Sequence, residues 1–387
     1  MQATAKYAPL KDAVDEAIEI CLTDELTPGT VVVIAHEGQI VYHRAEGLSN
    51  PGKGIPMQEN SLFRLASITK AFTSLAAAAL IEQGKMQMDD PVTKWLPDFK
   101  PKTADGKTPV ITIRQLLSHT AGLDYRWAQP ENGPYEQADI SDGLDISGIT
   151  LEENIRRLGT VTLNYEPGTS WLYSLSPEVM GAVIAKAHGS TFQKAMKELL
   201  TDPLGMTDTM FNAEEKDRGR MTVPYFMDNG TLKRMEADQL VLNEDGWRFL
   251  FSPERAFDPN EYPSGGVGLI GTGIDLLRLV EAIRTNTCPT ISESLMKEMS
   301  TNLFPNGVPE DPSMGFCLGW GVLLDPALAA TPQSPGTLLW GGVYGHRWFA
   351  DPARKLSVVI MTTTAVTVHN EPVSTTIRNA IYANLPA

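Results

Sequence analysis

Apolar positions follow two rhythms along this chain, and their order predicts its architecture. The opening "MQATAKYAPLKDAVDEAIEICL" interrupts its apolar residues with Asp12, Asp15, Glu16 and Glu19, the pattern of an amphipathic helix. "GTVVVIAHEGQIVYHRAEG" then sets β-branched runs on either side of His36-Glu37-Gly38-Gln39, which predicts two strands joined by a tight turn. The last third repeats this pattern. "GTLLWGGVYGHRWFADPARKLSVVIMTTT" gives strand, turn and strand with Asp351-Pro352 marking the second turn, and "STTIRNAIYANL" closes as a helix. Between these β-rich ends lie helical patterns, among them "IRQLLSHTAG", "LEENIRRLG", "PEVMGAVIAKAHG", "STFQKAMKELL" and "GIDLLRLVEAIR", several of them stopped by glycine.

These elements predict an α+β fold: an antiparallel sheet assembled from both chain ends, flanked by helices, with a mostly helical region inserted. Residues 1–90, 175–215 and 265–387 are expected to form the α/β domain, and 91–174 with 216–264 the helical domain. Ligand sites favour such a seam. The Pro- and Gly-bearing segments "QPENGPYEQ" and "FDPNEYPSGG" read as loops along it.

One segment breaks the amphipathic rule. In "SLFRLASITKAFTSLAAAALIEQGK", residues 61–85, Ala71, Phe72, Leu75, the Ala76–Ala79 run, Leu80 and Ile81 are apolar on nearly every face, the mark of a buried helix. Ser67 and Lys70 stand three apart at its start, where side chains share a face. Free N–H groups and the positive end of the helix dipole favour an oxyanion at Ser67. Burial lowers the pKa of Lys70 and leaves an amine able to take the serine proton.

Composition narrows the classes. The 387 residues are 42% hydrophobic and 20% charged, as in a globular protein with a sizeable core. A formal charge of −15 disfavours nucleic acid and anionic membranes as partners. No window approaches the about 18 uncharged apolar residues of a membrane span. The acid-punctuated start does not read as a signal peptide. Cys21, Cys288 and Cys317 form neither a disulfide framework nor a zinc motif. A cytoplasmic enzyme working on a small molecule is the expectation, its oligomeric state open.

S-x-x-K alone is a weak signal, since Ser294-Leu295-Met296-Lys297 matches it in an ordinary amphipathic stretch. Context separates the two. "LFRLASITKAFT", "DDPVTKWLPDF" and "ITIRQLLSHTAGL", in that order, resemble the serine β-lactamase and penicillin-binding-protein superfamily in its class C branch. "EPGTSWLYSLSPEVMGAV" and "LLWGGVYGHRWF" are most similar to the EstB-like family VIII carboxylesterases of that fold. The resemblance implies a β-lactamase/transpeptidase-like fold, Ser67 as nucleophile, Lys70 beside it and Tyr173 as proton relay. Tyr382 in "YAN" and Tyr262 in "YPS" compete for the tyrosine role. Tyr173 is preferred because the Pro167-Gly168 turn precedes it and a helix follows. Leu175 departs from the Asn or Ser of the β-lactamases at the third position of that motif.

No K-T-G occurs in the chain. At the matching place stands Trp340-Gly341-Gly342, where the resemblance implies substrate binding, with the amides of Ser67 and Val343 as the oxyanion hole. Losing that lysine shifts preference toward uncharged, apolar esters, with Arg347 nearby as a qualification. Tyr125, after "HTAGL", falls where EstB-like relatives place a pocket tyrosine. No cofactor and no metal are implied. The G-x-G-x-x-G of Gly266 to Gly271 lacks the preceding buried strand of a dinucleotide site, and no G-x-S-x-G or HExxH exists. His119 reads as a structural residue near a helix end, His346 as a residue of the site mouth and Glu166 as a solvated loop carboxylate. The expected activity is hydrolysis of short-chain esters through an acyl-enzyme on Ser67. An acyltransferase or weak β-lactamase using the same intermediate, and a catalytically silent binding protein, are the alternatives.

Overall fold

In a computed structural model of the chain, residues 5–243, 245–309, 311–366 and 372–386 are described. Its frame is an eight-stranded antiparallel sheet. From the N-terminal part come β1 (Gly29–His36), β2 (Gln39–Asn50) and β3 (Ile55–Pro56). The last quarter adds β4 (Met314–Phe316), β5 (Gly321–Leu323), β6 (Leu338–Gly342), β7 (His346–Asp351) and β8 (Leu356–Thr362). The spatial order is β4-β5-β6-β7-β8-β1-β2-β3, so the two chain ends meet where β1 pairs β8, Thr30 opposite Thr362 and His36 opposite Leu356. Glu37 and Gly38, both at positive φ, make the two-residue turn between β1 and β2.

All eight residues of β1 are buried, because both faces of the sheet are covered. Val32 and Ile34 pack on the outer side with α1 (Ala8–Thr23) and the C-terminal helix Pro372–Asn384, in one cluster with Leu10, Val14, Ile377 and Ile381. Val31 and Val33 face inward into the main core, which contains α2 (Thr69–Glu82). Every residue from Thr69 to Leu80 is buried, so this helix is surrounded by protein as its sequence predicts.

Two expectations are corrected. Residues 216–264, assigned above to a helical region, contain two β-hairpins, Tyr225–Asp228 with Thr231–Arg234 and Gln239–Leu242 with Arg248–Phe251. The first turns at Asn229-Gly230, both left-handed, and Asn-Gly is the pair that favours a two-residue hairpin over a helix. The "IRQLLSHTAG" helix spans only Ile113–Leu117, opened by a Thr112/Gln115 capping box, and the first left-handed residue beyond it is His119, φ 56°, ahead of Gly122 at φ 83°.

Candidate active site

Ser67 sits in a 3-10 turn, Ala66–Ile68, immediately before α2. Ala66 has φ 46°, a left-handed conformation that costs an alanine about 1–2 kcal/mol and turns the chain sharply at the serine. Lys70, on the first turn of α2, is 1% exposed. Its Nζ donates to Ser67 Oγ at 3.1 Å and to the Gly266 carbonyl at 2.9 Å. Burial lowers the amine to about 7, against the opposing pull of the Glu178 and Asp142 charges. Near neutrality a substantial fraction is therefore neutral.

Tyr173 comes to this pair from the segment just before α3 (Ser176–His188). Lys70 Nζ lies 4.7 Å from the centre of its ring. Burial raises the phenol, while the neighbouring Ser67 hydroxyl, Trp340 indole and Tyr125 phenol each pull it back down. None of these three makes an aligned hydrogen bond to the Tyr173 oxygen. His119 secures the segment. Its Nδ1 accepts the Ser174 N–H at 3.1 Å, its carbonyl accepts the Leu172 N–H at 3.0 Å, and its ring packs 4.8 Å from that of Tyr173.

The end of β6 closes the other side. A Cβ on Gly342 would stand 2.4 Å from the Leu65 carbonyl and 3.3 Å from the Ala66 Cβ, so only glycine lets this strand press on the backbone that carries Ser67. Ser67, Gly342 and Val343 border one cavity of about 780 Å³. A Cβ on Gly341 would collide with the Arg347 guanidinium, which occupies that side of the strand. Aromatic rings form much of the remaining wall, beside Asp124, Asp311, Gln333 and Met314: Tyr125 stacks on Trp127 at 4.8 Å, Trp127 meets Trp247 at 4.8 Å, and Trp340 and Tyr173 stand 5.3 Å apart.

All eight residues expected at the site thus converge: Ser67, Lys70, Tyr173, Val343, Tyr125, Trp340, Gly341 and Gly342. The decoys lie elsewhere. Lys297 pairs with Glu293 on a surface helix, the Tyr382 hydroxyl donates to Asp351, and Tyr262 is buried with Asn154 and Ser141. Glu166 is exposed. His346, expected at the mouth, is instead 2% exposed, its ring bonded to the Arg64 carbonyl and the Thr362 N–H. Sequence reading missed the aromatic wall from the second hairpin, Trp247 and Phe249, and the buried Glu178. The signal for Glu178 was an acid in the first turn of a helix with no further charge before Lys186. Among the described residues no His, Cys, Asp and Glu cluster suits a metal, and no helix is long and apolar enough to cross a membrane.

An antiparallel sheet backed by helices, with serine, lysine and tyrosine meeting beside the end of β6, is the arrangement of the penicillin-recognising serine enzymes. Accordingly, the beta-lactamase family profile matches residues 14–381, and the chain belongs to that family. Within it the chain is 40% identical to Esterase EstB of Burkholderia gladioli over 384 residues, covering 97% of this chain and 96% of that protein. The structure of EstCE1, described as a hydrolase with promiscuous acyltransferase activity, superposes with a TM-score of 0.92 at 38% identity, over 99% of this chain and 100% of the other. A class C beta-lactamase shares the fold at 19% identity, with a TM-score of 0.72 over 98% and 97% of the two chains.

Proposed function

We propose that the protein is a serine carboxylesterase that hydrolyses short-chain carboxylic esters through an acyl-enzyme on Ser67. The observation that carries this reading is the 3.1 Å bond between Ser67 Oγ and the buried Lys70 amine, which burial pushes down to about 7. Ser67 attacks the ester carbonyl while Lys70 or Tyr173 takes its proton. The tetrahedral oxyanion rests on the amides of Ser67 and Val343, and Tyr173 returns a proton to the departing alcohol. Water then enters and the relay runs backward. Tyr125, Trp340, Gly341 and Gly342 shape the substrate site, which needs no cofactor or metal.

The similarity to EstB, named an esterase, supports ester substrates over β-lactams. So does Trp340-Gly341-Gly342 in place of a K-T-G lysine. The promiscuous acyltransferase activity ascribed to EstCE1 favours one second reading: the same acyl-enzyme passing its acyl group to an alcohol. A residual β-lactamase remains the weaker alternative, and the Ser67–Lys70 bond argues against a silent binding protein. The cleft fits the seam between residues 1–90, 175–215 and 265–387 on one side and 91–174 and 216–264 on the other, since its walls draw on both sets. An acidic chain with three free cysteines fits a cytoplasmic setting.

Ser67→Ala assayed on a short p-nitrophenyl ester tests the reading. Activity is expected to vanish, and full retention would end the assignment. Partitioning of the acyl group between water and added alcohol, and turnover of a chromogenic cephalosporin, separate the alternatives.

A further inference from the structure

The G-x-G-x-x-G stretch opens with Gly266, and the backbone of that glycine lies against the reacting groups. The loop Ser264–Leu269 runs between α2 and α3. From α2, the Thr73 hydroxyl donates to the Gly265 carbonyl at 2.7 Å, Lys70 Nζ donates to the Gly266 carbonyl at 2.9 Å, and Thr69 Oγ1 accepts the Leu269 N–H at 3.1 Å. From α3, Glu178 reaches the same loop with its carboxylate, which is fully buried. Oε2 accepts the Gly265 N–H at 3.1 Å, while Oε1 accepts the Gly266 N–H at 2.8 Å and the Ser264 hydroxyl at 2.5 Å.

Only glycines fit at this crossing. A Cβ on Gly265 would lie 2.2 Å from the Pro177 carbonyl, and one on Gly266 would lie 2.8 Å from Glu178 Oε1 and 3.6 Å from Lys70 Nζ. Gly266 therefore gives its N–H to Glu178 and its carbonyl to Lys70. Glu178 also sits five residues after Tyr173, on the helix that begins where the tyrosine's segment ends.

We propose that Glu178 is a positioning residue for Lys70: as a buried carboxylate it fixes the Gly265-Gly266 peptides so that the Gly266 carbonyl aims the lysine amine at Ser67. Three donors and no acceptor bond Glu178, which is the environment of an ionised carboxylate. Burial raises its pKa above the ordinary carboxylate value, and the Ser264 and Gly266 hydrogen bonds with the Arg255 and Lys70 charges oppose that rise only in part. The other charged and titratable groups around the pair are Asp142, Tyr125, Tyr173 and His119 facing Lys70, and Arg255 and Tyr262 facing Glu178. Asp142 is tied to the Arg126 and Trp127 amides, so Glu178 is the acid that shares a hydrogen-bonded residue with Lys70.

The inference rests on Lys70 serving the esterase reading above. Its test is the pH profile of kcat and KM on a p-nitrophenyl ester for Glu178→Gln, Glu178→Asp and Ser264→Ala. In Glu178→Gln the anion is gone, so the lysine is easier to deprotonate and the acid limb of kcat moves down by about one pH unit. The slackened loop lowers kcat on the order of ten- to hundredfold, part of what a positioned proton acceptor supplies, at nearly unchanged KM. Glu178→Asp keeps the charge, so it restores the position of the acid limb. Ser264→Ala, which keeps both charges, lowers kcat at least about threefold by releasing one of the three donors. It also serves if the Gln variant does not fold. An acid limb that stays in place in Glu178→Gln, or an unaltered kcat in Ser264→Ala, overturns the proposal. Loss of activity in Ser67→Ala beside an unmoved Glu178→Gln profile removes this inference alone, whereas activity surviving Ser67→Ala removes the reading beneath it.

Discussion

His119 and Ser174 are joined across 55 positions of sequence by a bond in which the Ser174 N–H donates to the His119 ring at Nδ1, 3.1 Å away. The residue between that bond and the companion bond from Leu172 is Tyr173. A histidine outside the reaction thus holds the phenol in place. Its burial keeps the ring well below the usual histidine range, so Nδ1 stays an acceptor at working pH. Replacing it by alanine leaves the buried Ser174 N–H without a partner, at a cost of about 1–3 kcal/mol. The expected result for His119→Ala is a lower urea midpoint together with a kcat that falls more than KM rises. An unchanged kcat in a folded variant would contradict the positioning role.

His346 makes acid stability measurable. Its Nε2 donates to the Arg64 carbonyl at 3.0 Å and its Nδ1 accepts the Thr362 N–H at 3.2 Å, so a second ring proton has no acceptor. Burial lowers it to about 3. The unfolded chain takes up this proton near pH 6.5 while the folded chain does so only near 3, so the unfolded state binds more protons throughout that window. Stability is therefore present above about pH 6.5 and declines as pH falls toward 3, by a few kcal/mol as an order of magnitude. Thermal unfolding of His346→Gln, which does not titrate, is expected to show a shallower fall over the same range.

Gly342→Ala tests the oxyanion hole. The added methyl collides with the Leu65 carbonyl, so β6 must lift from the Ser67 turn and carry the Val343 amide with it. Removal of one oxyanion donor costs about 10²–10³ in kcat, and a loss of that size is expected here on a p-nitrophenyl ester. Activity within threefold of the unaltered protein would place the oxyanion elsewhere.

Lys70 sets the acid side of the rate profile. With its amine at about 7, kcat/KM is expected to climb as pH rises through 7, as the neutral amine of the free enzyme accumulates. A profile flat from pH 5 to 9 would remove Lys70 as a titrating participant.

Much of this was legible in the chain, for local reasons. Apolar residues on nearly every face between Ala71 and Ile81 are enough to predict a buried helix, and Glu37-Gly38 marks its hairpin. Ser67 and Lys70 were readable because three-residue spacing on a helix is itself geometry. Tyr173, Trp340 and their glycines came through family resemblance, since nothing local says that a phenol, an indole and an amine will meet. The second hairpin escaped because its exposed face, Leu240, Leu242 and Leu250, blurs the alternation that its buried face, Val241, Phe249 and Phe251, would otherwise display. Glu178 was hidden for a deeper reason: its donors arrive from Ser264 to Gly266, and only the packed helices bring that loop beneath Lys70.

Mass spectrometry of the protein after exposure to an alkyl p-nitrophenyl phosphonate, with peptide mapping, addresses the nucleophile directly. One phosphonyl group on the peptide bearing Ser67, lost in Ser67→Ala and formed far more slowly in Tyr173→Phe, is the predicted result. Labelling at another residue, or full inhibition with Ser67 unmodified, would contradict an acyl-enzyme at this serine.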